Sequence, residues 1–464
     1  MRDKAGYLSQ DTIAAISTAL GGAISLVRVS GPTAFSAFTA LASPLAAFSP
    51  PRMLVRTRLK GARGPIDDAL SVRFVAPDSF TGEDVVEFHL HGSPLIASLL
   101  MEALAEQGVR QALPGEFSFR AVRNGKMDVP QAQALADLIS SQNENAVTLA
   151  LEKMSGTQRR LIGALGENLR QLATLSEVGI DFSDQNVEEV SLPRLKENLT
   201  PIALALKDLL HGYSRGSRIQ SGVGVSFVGL PNSGKSSFFN ALLGEDRSIV
   251  SDVAGTTRDI VREHLTLRGK NGMITLRMED TAGLRKTDDH VEKIGIEKTR
   301  RSAGDAELIL FLLDCSGSVA EAHEQWLALG RPSGRAIGIL TKCDLASVDQ
   351  LSQTKEALAS FKIHPWVETS SLTGAGISGA IDAILKHCEN WNHVGKGEIL
   401  LTRLDQAQAV SAAVEHLTRA ALAPELDLFA SDLRHALHSL GALIGETPSD
   451  EVLGRIFSSF CIGK

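Results

Sequence analysis

No stretch of about 18 uncharged apolar residues occurs in the sequence, so no transmembrane helix is predicted. Cysteine is scarce. The four cysteines, Cys315, Cys343, Cys388 and Cys461, show no C-x-x-C spacing. That argues against a zinc site or a disulfide framework and fits a reducing cytosol. Aromatic residues are only 5% of the chain, so no stacking platform for bases is advertised. Basic residues are in deficit, 47 Lys and Arg against 54 Asp and Glu, for a formal charge of -7. Composition therefore lends no support to nucleic-acid binding, although a local basic patch is compatible with it. The opening MRDKAGYLSQDTIAAIS lacks a long apolar run and a small-residue cleavage site, and does not read as a secretory signal. A cytoplasmic protein without a membrane partner is expected. No internal repeat or low-complexity run is present.

What the chain does have is ordinary globular composition, 43% hydrophobic and 22% charged, over 464 residues. That length suggests two to four domains. The first 123 residues or so read as mixed α/β, with strands at 23–29, 69–75 and 85–90 and a helix over 94–107 that stops at Gly108. From about Pro130 the texture becomes helical. Leu195, Leu199, Ile202, Leu206 and Leu209 recur at steps of four and three, and so do Ala407, Val410, Val414, Leu417 and Ala421. Between these two amphipathic stretches, strands and helices alternate and the turns are rich in glycine. A helical bundle interrupted by an α/β insertion is the simplest account.

The insertion carries the chemistry. Gly229-Leu-Pro-Asn-Ser-Gly234-Lys235-Ser236 follows the apolar strand 223–228 and precedes the helix-like run Ser237-Phe-Phe-Asn-Ala-Leu-Leu. That strand–loop–helix context is what a P-loop needs. Its backbone amides wrap phosphates, Lys235 reaches the outer ones and the Ser236 hydroxyl binds Mg²⁺. Asp280-Thr281-Ala282-Gly283 follows the strand pattern 274–278, placing an acid for Mg²⁺ and an amide that senses a γ-phosphate. Thr341-Lys342-Cys343-Asp344 ends the apolar strand 336–340, where the Asp selects guanine over adenine. Thr369-Ser370-Ser371-Leu372 fits the last guanine-side loop. Four motifs in order, each at a strand end, specify a GTPase. Thr341 stands where an Asn usually braces the loop, which is expected to weaken nucleotide affinity while Asp344 keeps the guanine selectivity.

In Ras-like enzymes a Gln follows Asp-Thr-Ala-Gly and orients the attacking water. Here that position is Leu284, so another group must place the water and another charge must offset the transition state. Asn232 inside the P-loop can help ligate a monovalent cation, and Gly255-Thr256-Thr257-Arg258-Asp259 supplies a switch segment whose Thr can close over Mg²⁺.

These residues resemble the MnmE (TrmE) family of tRNA-modifying GTPases, nearly end to end. The N-terminal part carries Arg28-Val-Ser-Gly31, Phe80-Thr-Gly-Glu-Asp-Val-Val-Glu-Phe-His-Leu-His-Gly92, Leu113-Pro-Gly-Glu-Phe-Ser-Phe-Arg-Ala121, Asn124-Gly-Lys-Met-Asp128 and Gln131-Ala-Gln-Ala-Leu-Ala-Asp-Leu-Ile139. The insertion adds Asp280-Thr-Ala-Gly-Leu-Arg285, and the sequence closes on Cys461-Ile-Gly-Lys464. Leu230 stands where Arg is commoner in the family, and Ala19-Leu-Gly-Gly lacks the Pro-Gly often seen there.

The resemblance implies a multidomain α/β and all-α fold: an α/β dimerisation and folate-binding domain over 1–123, a helical domain in two segments over 124–221 and 389–464, and an inserted Ras-like P-loop GTPase domain over 222–388. It implies a cytoplasmic homodimer, a 5-formyl-tetrahydrofolate-type one-carbon donor and an FAD-dependent MnmG (GidA) partner. Together the two proteins would place an aminomethyl or carboxymethylaminomethyl group on C5 of a tRNA wobble uridine. The GTP set so implied is Asn232, Ser233, Gly234, Lys235, Ser236, Ser237, Ser251, Asp252, Val253, Ala254, Gly255, Thr256, Thr257, Asp280, Thr281, Ala282, Gly283, Thr341, Lys342, Cys343, Asp344, Ser370, Ser371 and Leu372. Within it Ser236 and Thr257 look like Mg²⁺ ligands, and Asn232, Ser251, Val253 and Thr256 like a K⁺ loop. K⁺ there would supply the charge that an arginine finger supplies elsewhere. Glu292 matches the family's catalytic glutamate, acting through a bridging water. Arg28, Glu87, Lys126 and Lys464 match the folate site, with Glu83 competing with Glu87.

Other tempting residues have plainer readings. Cys461 reads as a small, partly buried thiol without a visible activating base. His89 and His91 read as packing or edge residues on a strand, and Arg258 and Arg285 as ion-paired or solvated. A second function stays open on the GTPase motifs alone: a GTP-switched assembly factor or scaffold without RNA chemistry. The folate-type residues distinguish the two, because a switch alone needs no one-carbon donor.

Overall fold

The structure, a computed structural model, describes residues 7, 10–43, 48–181, 191–245, 248–251, 263–269, 272–278, 304, 306–330, 332–391, 394–395, 397–444, 453–454, 457–458, 460 and 463. Two compact units divide the chain. One comprises residues 1–136, 153–167 and 440–464; the other comprises 137–152 and 168–439.

The first unit is built on a mixed sheet. Its elements in chain order are β1 (Ile13–Ile16), β2 (Ile24–Ser30), α1 (Ala34–Leu41), β3 (Val55–Gly61), β4 (Gly64–Phe74), β5 (Val85–His91), α2 (Pro94–Glu106), β6 (Arg110–Gln111) and α3 (Glu116–Arg123). The six strands lie in the order β3-β4-β5-β2-β1-β6. All neighbours run antiparallel except β1 and β6. Strand β2 alternates as its sequence predicts: Val27 and Val29 are buried and pack with Phe88, Phe38 and Leu100 under α1 and α2. Helix α2 has Pro94 in its first turn and is followed by Gly108 at φ +80°, the ends that its sequence signals. A smaller core joins Phe119, Val129 and Ala132 to Leu453 and Phe457.

Helices α4 (Val129–Ser140), α5 (Glu144–Met154) and α6 (Thr157–Asp181) follow, and then α7 (Leu192–Ser221). The stripe read from the sequence, Leu195, Leu199, Ile202, Leu206 and Leu209, is the buried face of α7.

The second sheet then begins, with β7 (Val223–Val228), α8 (Lys235–Leu243), β8 (Ser248–Ser251), β9 (Glu263–Gly269), β10 (Gly272–Met278), β11 (Leu308–Asp314), α9 (Val319–Ala328), β12 (Ala336–Thr341), α10 (Val348–Ala357), β13 (Trp366–Glu368) and α11 (Ile377–His387). Its order is β13-β12-β11-β7-β10-β9-β8. From β13 to β10 the strands are parallel, and β9 and β8 add an antiparallel edge. Phe238, Phe239, Ile377 and Ile381 cover one face, and Trp326, Phe361 and Ala322 the other. Strands covered on both faces read as continuous apolar runs, and β11 is Leu-Ile-Leu-Phe-Leu-Leu-Asp.

Helices α12 (Leu404–Leu422) and α13 (Leu426–Ile444) follow the second sheet. The buried face of α12 carries Ala407, Val410, Ala413, Leu417 and Ala420. The sequence expectation placed Val414 and Ala421 on it; Val414 is only partly covered and Ala421 is exposed. With alanine on both sides, apolar periodicity cannot separate neighbouring positions on a helix. Gly216 of α7 permits close packing here, since a Cβ at that position would lie 2.2 Å from the Leu401 carbonyl. The sheet is tied to the helices around it: the Asn143 amide donates to the Ile219 carbonyl at 3.0 Å and to the Thr275 hydroxyl at 3.2 Å, and Arg218 pairs with Glu307.

Candidate functional site

Three loops leave the C-terminal ends of parallel strands β7, β12 and β13, the edge where open α/β sheets bind ligands. The first is the P-loop. Gly229 is required by close approach, because a Cβ there would fall 2.4 Å from the Leu312 carbonyl and 2.5 Å from Ser233 Oγ. Asn232 and Gly234 take positive φ, +62° and +83°, which turns the loop into the first turn of α8. That turn begins with Lys235 and carries Ser236 and Ser237, so free amides and the positive end of the helix face the loop. Lys235 Nζ donates to the carbonyls of Gly229 at 2.9 Å and Leu230 at 2.8 Å. Burial holds its ammonium below the ordinary lysine range. A lysine so placed is a cation with little competing water, suited to phosphate oxygens.

The second loop begins at Thr341, which is buried. Its hydroxyl donates to the Ser233 carbonyl at 2.8 Å and lies 3.3 Å from the Leu313 carbonyl. The bracing expected of an Asn at this position is thus supplied by a threonine hydroxyl that ties this loop to the P-loop. Lys342 follows at φ +55°, and its ammonium lies 2.7 Å from Asp314 Oδ2. Burial opposes ionisation of Asp314, but hydrogen bonds from Lys342 and from Ser316 outweigh it and keep the carboxyl below its ordinary range. The turn is closed by Leu345 N donating to the Lys342 carbonyl at 3.0 Å, which leaves Asp344 exposed at the sheet edge.

The third loop is fastened to the second by Cys343 N donating to the Thr369 carbonyl at 3.2 Å. It turns on Ser370, whose amide donates to the Ala375 carbonyl at 2.9 Å and whose hydroxyl accepts from Thr373 N at 3.2 Å. Ser371 is half-buried and Leu372 is 84% exposed. Thr341→Val keeps the shape of the side chain and removes the hydroxyl. It should raise the GDP dissociation constant about threefold to tenfold and cost about 1 kcal/mol of stability, read by nucleotide titration and urea unfolding.

Ser251 ends strand β8. Asp252, Val253, Ala254, Gly255, Thr256, Thr257, Arg258, Asp280, Thr281, Ala282, Gly283, Leu284, Arg285, Glu292, Cys461 and Lys464 lie outside the described residues.

In the N-terminal unit, β2 and β5 place Arg28 opposite Glu87, and Arg28 Nε donates to Glu87 Oε1 at 2.8 Å. The guanidinium lies over the rings of Phe80 and Phe117, with 5.4 Å and 5.8 Å to their centroids. Lys126 lays its stem along Gly82, where a Cβ would come within 3.2 Å of its Cγ. Gly463 lies against the end of β1, where Ser17 Oγ donates to its carbonyl at 3.1 Å. Glu83 is engaged elsewhere: it accepts from Ser30 Oγ at 2.8 Å and from Arg120 Nη1 at 3.1 Å, and Arg123 Nη2 lies 3.6 Å away. His91 Nδ1 sits 2.7 Å from Asp67 Oδ1, and His89 Nε2 is 4.0 Å from Glu87 Oε2.

Sequence reasoning missed the Arg120 cluster, in which Arg120 and Glu116 are both fully buried and Asp11 and Arg110 complete the ion pairs. The Leu113–Ala121 motif was its signal, since it puts an acid and a base four apart on one helix face. The partnership of Asp314 with Lys342 was missed as well. Its only signal was an acid closing an apolar run.

Two family models match the chain: one described as "GTP-binding protein TrmE N-terminus" over residues 12–126, and one described as "MnmE helical domain" over 129–461. The tRNA modification GTPase MnmE of Azoarcus sp. (strain BH72) is 39% identical over 460 residues, covering 98% of each chain. The protein of the same name from Pseudomonas aeruginosa PAO1 is 37% identical over 468 residues, 98% of this chain and 99% of that one. Among solved structures, the G domain of the T. maritima FeoB iron transporter is 25% identical, covering 36% of this chain and 98% of that one with a TM-score of 0.25. With its P-loop, guanine-side loops and N-terminal motifs all in place, the chain belongs to the family of the tRNA modification GTPase MnmE.

Proposed function

We propose that this GTPase modifies tRNA at the wobble uridine, acting as a homodimer with an FAD-dependent MnmG (GidA) partner and a tetrahydrofolate one-carbon donor. The observation that carries the nucleotide half is the hydroxyl of Thr341 on the Ser233 carbonyl, which ties the phosphate loop to the guanine loop. The folate half rests on the Arg28–Glu87 pair beside two aromatic rings: a cation suits the glutamate tail and a carboxylate suits the pterin amide edge. The four-segment domain division, at 123, 221 and 388, belongs to the same reading.

The nucleotide-site donors, namely the Ser236 and Thr257 hydroxyls, the Asn232 amide oxygen and the polar groups of Ser251, Val253 and Thr256, are hard oxygen ligands of the kind that Mg²⁺ and K⁺ take. Bound there, the two cations supply positive charge for the transferring phosphoryl group. The chain's own contribution is to hold the phosphates with Lys235 and the loop amides, to read the base with Asp344 and to place water through Glu292. Leu284 cannot do this last task, which gives Glu292 its part.

Steady-state GTP hydrolysis in KCl against NaCl, at low and high protein concentration, tests this reading. Stimulation by K⁺ of at least about tenfold, rising with protein concentration, is expected for cation-assisted dimerisation of the GTPase domains. Equal slow rates in both salts would discard the K⁺ loop. Glu292→Ala should cut turnover at least about a hundredfold with GDP affinity retained, and unchanged turnover would remove Glu292 from catalysis. Mass spectrometry of tRNA from cells lacking the gene decides the rest: an unmodified wobble uridine supports the modifying enzyme, and an unchanged one supports the scaffold.

A further inference from the structure

Two cysteines that sequence spacing separates are brought together beside the guanine loop. Strands β11 and β12 run parallel with Asp314 opposite Thr341, and Cys315 N extends the ladder by donating to the Thr341 carbonyl at 3.0 Å. One residue past Thr341, the chain turns through the left-handed conformation of Lys342. That turn brings the Cys343 side chain back over Cys315, and the two Sγ atoms lie 3.1 Å apart. Cys315 is 3% exposed and Cys343 is half-buried, so an oxidant meets Cys343 first.

We propose that Cys315 and Cys343 form a dithiol modification site for two-electron thiol oxidants of the peroxide class, and that the disulfide they form weakens guanine-nucleotide binding. The inference rests on the reading of Asp344 as the group that recognises guanine.

The chemistry runs in two balanced steps. The Cys343 thiolate attacks a peroxide oxygen; the O–O bond breaks, hydroxide leaves, and Cys343 becomes a sulfenic acid. Cys315 sulfur then attacks that sulfur, forming the S–S bond, and the sulfenic oxygen departs as water with the proton of the Cys315 thiol. Sulfur is oxidised by two electrons in all and the peroxide is reduced by two. The pair is polarised for this order of events. The hydrogen bond between the two thiols keeps Cys343 below the ordinary thiol range despite burial, and the same bond, with burial, raises Cys315. Cys388, by contrast, is fully buried, with its thiol pushed up to about 12 by that burial.

Closing the bond brings the sulfurs from 3.1 Å to about 2.05 Å. Strands β11 and β12 are fixed by a six-residue register, so the displacement falls on the turn Lys342–Cys343–Asp344. Asp344 is bonded directly to Cys343. A shift of about 1 Å takes a carboxylate out of the narrow range in which it accepts both guanine hydrogen bonds. By reciprocity, bound nucleotide favours the reduced pair.

The test begins with the reduced full chain, titrated with GDP and with ADP. Tight binding of GDP alone upholds the guanine reading, and failure to prefer GDP defeats that reading separately. The protein is then treated with hydrogen peroxide, freed of it, titrated again, and digested for peptide mass mapping. A Cys315–Cys343 cross-linked peptide, a GDP dissociation constant raised about tenfold, and recovery of both with dithiothreitol are expected. Cys315→Ser should bind GDP as the parent does before peroxide, and should show neither the cross-link nor the reversible loss afterwards. Oxidised Cys343 without the cross-link, or the cross-link with GDP affinity unchanged within about twofold, overturns the proposal.

Discussion

Asp344→Asn is expected to lower affinity for GDP and GTP at least about a hundredfold and to raise affinity for xanthosine nucleotides. A carboxylate accepts from both the ring N–H and the exocyclic amine of guanine, and such charge-assisted bonds are the strong ones. The Asn amide keeps one acceptor but turns an N–H₂ donor toward the guanine amine, setting donor against donor. Xanthine carries a carbonyl at that carbon, so the mismatch becomes a match. The loop itself should hold, because Asp344 is exposed and the turn is fastened by backbone bonds of Cys343 and Leu345 and by the Thr341 hydroxyl. Competition of GDP and XDP against a fluorescent guanine nucleotide reads the switch. An unchanged preference for guanine would take the base-reading role away from Asp344.

The largest stability effect belongs to the other unit. Arg120→Met is expected to destabilise the N-terminal unit by roughly 3–5 kcal/mol, because it removes the one buried cation that bridges three acids rather than a surface contact. Arg120 is fully buried and donates to Asp11, Glu83 and Glu116, the last of these also fully buried. Arg110 shares Asp11 and Glu116, and of the ion pairs of Glu83 only the longer contact from Arg123, at 3.6 Å, remains. Glu116 also accepts from Leu113 N at 2.7 Å, so disturbing it loosens the turn that starts helix α3. Scanning calorimetry should show an early transition, while GDP binding at 25 °C persists because its loops belong to the other compact unit. A melting profile like that of the parent would mean that the cluster adds little to stability.

The nucleotide site was legible because each of its parts is local. A glycine loop between an apolar strand and a helix is spelled by eight consecutive residues, and Thr341-Lys342-Cys343-Asp344 by four. Strands β2, β5, β7 and β12 were legible as apolar runs ended by turn residues, and α7 as a stripe of leucines. What the sequence hid depends on contacts between distant segments. Thr341 reads as a weakened Asn until the fold sets its hydroxyl against Ser233, 108 positions earlier. Cys315 and Cys343 read as unrelated until two parallel strands lay them side by side. Strands β3, β8 and β9 carry exposed polar residues or short runs that periodicity does not resolve, and sheet pairing supplies what their own residues lack. The folate candidates were legible only through the family resemblance, since Arg28 and Glu87 face each other across strands 59 residues apart.

The closure of the N-terminal unit by its far end bears on how the protein is made. Ser17 waits for Gly463, which leaves the ribosome 446 residues later, and Phe119 waits for Phe457, whose ring stacks edge-on against it. At about 5–20 residues per second, the interval is on the order of a minute. During that time the first sheet is already translated but the Phe119–Val129–Ala132 patch of helices α3 and α4 lacks Leu453 and Phe457, while the nucleotide-binding sheet, contiguous from β7 to β13, can finish folding. The N-terminal sheet is therefore translated before the nucleotide-binding sheet but completed after it.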